Sequence, residues 1–217
     1  MHRAAERGAQ GAARCLILSR TLRAGRSRRL SAAKLKLYFC VWGTVPLLQP
    51  TKDLLRYLRN NPGVRSRIAA APNRTLLYAG SYFRPIWREV EQLRLTNREI
   101  ANKDLLPDVL GRIFTPGQPY PTLLLWAKSL DSLVPWEHNG FVAWRALSGI
   151  FASNAIGTVS FCVGSGVAKA DKVFAATELP VLLRNPNIDS LTRDVLGYYE
   201  RCIQTGQTAI NFGFLGG

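Results

Sequence analysis

The chain has 217 residues, 47% of them apolar, and a formal net charge of +15. That length holds one domain of ordinary size plus an extension, and the apolar fraction excludes a wholly disordered chain. The four cysteines, Cys15, Cys40, Cys162 and Cys202, lie far apart without a C-x-x-C pair, which argues against a zinc site or a disulfide scaffold.

Residues 1–36 carry Arg3, Arg7, Arg14, Arg20, Arg23, Arg26, Arg28, Arg29, Lys34 and Lys36 against the single acid Glu6. Alanine, serine, leucine and glycine fill the gaps. An arginine-rich, acid-poor start of this kind has the composition of an organellar transit peptide. Leu16, Ile17, Leu18 and Leu22 supply the apolar face that draws such a helix to anionic lipid. The alternative is an extended basic arm without an address. Residues 37–217 then form one domain. It opens on an apolar run at 37–49, broken by Pro46 and too short to span a bilayer as a helix. That run suits either a buried segment or an interfacial one.

A short helix is expected over residues 51–59, capped by Thr51 and stopped by Pro62 and Gly63. Asn73 can cap the next segment, which carries Leu76, Leu77 and Tyr78. The sequon at Asn73 matters only in a secreted protein. Pro85 suits the first turn of a longer helix reaching about residue 102, with Ile86, Val90, Leu93 and Ile100 on one face. Between residues 52 and 98, ten basic side chains face three acids; from residue 99 onward, nine face ten. Arg84, Arg88, Arg94 and Arg98, beside Trp87, are therefore expected to contact anionic phospholipid, where arginines reach phosphate and aromatics sit at the interface. The same mixture suits rRNA, or a solvated helical face.

Prolines and glycines at 115–121 predict a loop, followed by a helix ending before Pro135. Residues 146–168 contain no charge and have the length of a membrane span. Gly149, Ser153, Gly157 and Gly164 recur there at the small-residue spacing that lets helices pack closely. The competing reading is a buried helix in a protein without a span. A last helix is expected over 190–204, capped by Asn187 or Asp189, with Leu191, Val195, Tyr198 or Tyr199, and Cys202 as its stripe. The uncharged tail at 211–217 is expected to dock.

Chemistry is hard to place. His138 has no nucleophile or second ligand nearby in sequence, and Glu89 and Glu91 face different directions on a helix. Gly164-Ser165-Gly166 lacks the context of a nucleotide-binding turn, and no phosphate loop or nucleophile elbow occurs. No catalytic residue, cofactor or metal ligand is expected. The sequence thus reads as mainly α, an irregular helical protein with a candidate membrane-embedded helix at 146–168 and a basic N-terminal arm. The expected role is a non-catalytic accessory subunit of a mitochondrial inner-membrane complex, of the respiratory chain or ATP synthase, bracing neighbouring subunits and lipid. The alternative is an organellar ribosomal protein whose arm binds rRNA.

Overall fold

The computed structural model describes residues 47–79, 86–134, 140–163, 166–167 and 172–209. Helices α1 (Gln49–Asn60) and α2 (Pro62–Arg67) precede strand β1 (Thr75–Ala79). Helices α3 (Ile86–Thr96), α4 (Arg98–Ala101), α5 (Leu106–Gly111), α6 (Leu123–Leu133) and α7 (Phe141–Ser153) follow. Strands β2 (Val159–Val163) and β3 (Gly166–Val167) lead to a π-turn at Phe174–Glu178, then α8 (Leu179–Arg184), α9 (Ser190–Thr205) and β4 (Thr208–Ala209). Helix accounts for 65% of the described residues, so the chain is mainly α, but its helices pack around strands the sequence reading did not include.

Strands β1 and β2 pair in parallel, from Thr75 opposite Val159 to Ala79 opposite Val163. Successive strand side chains point to opposite faces. Leu76 and Leu77 are nevertheless both buried, as are Val159, Ser160, Phe161 and Cys162, so both faces are covered. Leu77, Val159 and Phe161 enter the main core, where Phe161, Phe174 and Tyr199 stack edge to face with ring centres 5.8–6.1 Å apart. Leu76 and Cys162 enter a smaller cluster with Val90, Ile100 and Leu105. Helices α3 and α4 thus cover one face, while α1 and α5–α9 build the other.

Residues 146–168 are not one helix. α7 ends at Ser153, and the side-chain amide of Asn154 donates to the Arg65 and Ile68 carbonyls at 2.9 and 3.1 Å. Gly157 takes φ +72°, and β2 then begins, with β-branched Val159 and Val163 and aromatic Phe161. No helix among the described residues is long and apolar enough to cross a membrane. A strand buried on both faces and a helix buried all round are equally free of charge, which is why the two ran together in the sequence.

Other boundaries move for local reasons. Thr51 is fully buried inside α1, which begins after Leu48 with Pro50 in its first turn. α1 stops at Asn60, as expected ahead of Pro62, and Pro62 also opens α2, using the position where a missing N–H costs nothing. Asn73 lies in the left-handed region (φ 62°), and its Oδ1 accepts from the Thr158 amide at 2.8 Å. The helix expected to reach residue 102 breaks at Asn97, which is extended and caps α4 by accepting from the Glu99 amide at 2.9 Å. Asp189 caps α9, accepting from the Thr192 amide at 2.7 Å, and Gly206 closes it at φ 68°. Leu191 is exposed; Thr192 and Leu196 join Val195, Tyr199 and Cys202 on the buried stripe.

Candidate functional site

Two places concentrate charge: an interior polar knot and an exposed basic face. The knot begins with Pro180. Proline has no N–H, so the Ala176 carbonyl lacks the donor that an α-helix would supply from position 180. Arg145, reaching across from α7, donates from Nη2 to that carbonyl at 3.3 Å and from Nε to Thr177 Oγ1 at 2.7 Å. Partial burial lowers the guanidinium pKa from its ordinary value. One turn along α7, a Cβ on Gly149 would stand 3.2 Å from Thr177 Cγ2, so this glycine lets the helix close on the π-turn.

Glu178 ends the π-turn with 6% of its surface exposed. Burial pushes its carboxyl up to about 8, opposed by a hydrogen bond from the Ser148 hydroxyl. Burial first, and the Glu178 charge second, push the Tyr78 phenol up to about 12. Near pH 7 Glu178 is therefore a neutral acid. The group joins α7 to the π-turn through the bonds of Arg145 and Ser148. At its edge, Asp131 accepts from Trp144 Nε1 at 2.7 Å; burial raises this carboxyl, against that bond and Lys128. No cluster of three metal-binding side chains occurs among the described residues.

The basic face has a different origin. α1 buries Thr51, Leu54 and Leu58, so Lys52, Arg56 and Arg59 turn outward together. Arg65 and Arg67 continue the exposed charge on α2. Asp53 is the one acid on these two helices, accepting from Gln49 Nε2 at 2.5 Å and lying 3.6 Å from Arg56. Five cations against one carboxylate leave this face strongly positive.

The residues singled out in the sequence do not assemble into one surface among the described residues. Arg94 Nη1 donates to Asp108 Oδ2 at 2.7 Å, and the Leu105 amide donates to the same oxygen at 2.9 Å. Its charge is neutralised within the fold rather than left for a partner. Arg98 opens α4 and is exposed. Trp87 and Arg88 lie in α3, but their side chains, like all of Arg84, His138 and Gly164, fall outside the described residues. Ser153 ends α7 exposed, its hydroxyl donating to the Ile150 carbonyl at 2.8 Å. Gly157 is not on a helix at all: a Cβ there would sit 2.0 Å from Asn73 Oδ1, so its close contact is a loop seam inside the fold. Glu178 carries no motif in the sequence, being one acid in an apolar stretch. That isolation between apolar neighbours was itself the available signal. Comparison with known protein families, curated proteins and solved structures gives no match.

Proposed function

We propose that this chain is a non-catalytic accessory subunit of a mitochondrial inner-membrane complex, of the respiratory chain or ATP synthase, bound at the periphery of that assembly. One observation carries the reading: the outward stripe of Lys52, Arg56 and Arg59, continued by Arg65 and Arg67, on helices that follow the arginine-rich residues 1–36. Such a face is drawn to an anionic surface, with each basic residue contributing about 1 kcal/mol close to anionic lipid. The buried polar knot supports a structural role, since Arg145 ties α7 to the π-turn through Thr177 and the Ala176 carbonyl. The partners are neighbouring subunits and anionic phospholipid.

The second reading, an organellar ribosomal protein bound to rRNA, gains from the division of residues 146–168 into a helix and a strand, because the support a span would give the membrane reading is withdrawn. Mild detergent lysis of mitochondria followed by native separation tests the two. Co-migration with a respiratory or ATP synthase complex, and release by alkaline carbonate, is the expected result. Sedimentation with ribosomal subunits, lost on ribonuclease treatment, would replace it with the second reading.

A further inference from the structure

A groove of about 390 Å³ opens between α2 and α5. Ala70, Val109 and Ile113 are buried and form its floor, while Arg67 and Arg112 stand exposed at its rim. Both helices point their C-terminal ends here, which would normally repel an anion. Several of these carbonyls are occupied, however; those of Val109 and Leu110 accept from the Arg112 and Ile113 amides. Asn154 Nδ2 donates to the Arg65 and Ile68 carbonyls, and Arg112 Nε donates to the Asp108 carbonyl at 3.0 Å. Arg112 is also fixed by Asp104, its Nη2 lying 2.6 Å from Oδ1. These two bonds orient the guanidinium and leave its other N–H donors uncommitted among the described residues. Asp104 serves Arg74 as well, at 3.4 Å, so two guanidiniums share one carboxylate and keep one positive charge. Arg67 adds a second and makes no ion pair among the described residues.

We infer that this groove seats the phosphodiester headgroup of one anionic phospholipid. Arg67 and Arg112 hold the phosphate, and the adjoining methylenes lie on the alanine, valine and isoleucine floor. The inference rests on the peripheral membrane-complex reading above. The lining decides the class of ligand. Among the described residues no aromatic ring lines the groove, whereas single-stranded RNA is gripped largely by stacking. Free phosphate would use the arginines and leave the aliphatic floor bare.

The test uses the full chain with phosphatidylcholine vesicles containing phosphatidylglycerol, read by co-sedimentation. Arg67→Gln should weaken binding about fivefold, the value of one basic residue at an anionic surface. Ala71→Trp, at an exposed alanine of the groove wall, removes no charge and should weaken binding by a similar factor. Arg201→Gln, at an exposed cation of α9 that belongs neither to the groove nor to the α1–α2 stripe, should have a clearly smaller effect. Unchanged thermal unfolding of all three variants shows that the fold is intact. Equal loss from Arg201→Gln and Arg67→Gln with an inert Ala71→Trp overturns the seat in favour of diffuse attraction. Displacement by inorganic phosphate as complete as by short-chain phosphatidylglycerol overturns the lipid assignment. So does loss of RNA-oligonucleotide binding in the groove variants with vesicle binding intact. Because co-migration with a membrane complex is measured separately, the seat can fail while that reading stands, and the reverse is visible as ribosomal sedimentation.

Discussion

Replacing Glu178 by glutamine should stabilise the protein, and by an amount that grows with pH. Burial raises the carboxyl from its ordinary 4.5 to about 8 in the folded chain. In the unfolded chain it ionises near the ordinary value. Stability contributed by the protonated form is therefore complete below about pH 4.5 and is lost as pH rises toward 8. Each pH unit in that window costs about 1.4 kcal/mol. The loss amounts to roughly 3 kcal/mol at pH 7 and roughly 5 kcal/mol at pH 8 and above, as upper estimates. Glutamine has the same shape, carries no charge, and can still accept from Ser148. Of the groups around this carboxyl, Tyr78 on β1 stays neutral through the window, and Arg145 on α7 is engaged by Thr177 and Ala176. Urea unfolding at a series of pH values would measure the midpoint of each protein. The two curves should meet near pH 4.5 and separate steadily above it. Parallel curves across the whole range, or a variant weaker than the parent at pH 8, would refute the assignment of Glu178 as a buried neutral acid.

The remaining predictions concern the seams. Gly157→Ala should cost about 2 kcal/mol or more, from the left-handed backbone and the collision with Asn73, whereas Gly63→Ala, with open space around it, should be neutral or stabilise by about 0.5 kcal/mol; thermal unfolding separates them. Asn185 is buried and its amide donates to the Ala152 and Ala155 carbonyls at 3.1 and 2.9 Å, so Asn185→Ala should cost about 3 kcal/mol in urea unfolding. Arg145→Met should destabilise more in the parent than in a chain also carrying Pro180→Ala, where a backbone amide returns to the Ala176 carbonyl; a double-mutant cycle reads the difference.

What could be read in the sequence was what local periodicity and punctuation determine. The helix over 51–59, the helix ending before Pro135 and the Asp189 cap need only a few neighbouring residues, and helices stand there. The parallel pair could not be read. Leu76-Leu77 and the run from Val159 to Cys162 are uncharged and buried on both faces, so they lack the polar outer face of a half-exposed strand, and each lacks its partner until the chain has folded. The basic surface was half legible. Arginine density was plain, but the neutralisation of Arg94 by Asp108, fourteen positions away, and the availability of Arg67 and Arg112 at one groove depend on how loops bring helices together. Glu178 belongs to the same class, because burial is a tertiary property.

The pairing of Thr75 with Val159 joins positions 84 residues apart in the chain. Contacts of that separation slow folding, since a long loop must close before either strand is rewarded. As synthesis proceeds from the N-terminus, β1 and the helices up to α7 exist before their central partner does. Until β2 arrives, the consecutive leucines of β1 have an unpaired edge and an incomplete cover. Any delay between residues 79 and 159 thus prolongs an aggregation-prone intermediate. A chain halted just before Val159 would carry most of its helices yet no sheet, and should need a chaperone or a bound neighbour to remain in solution.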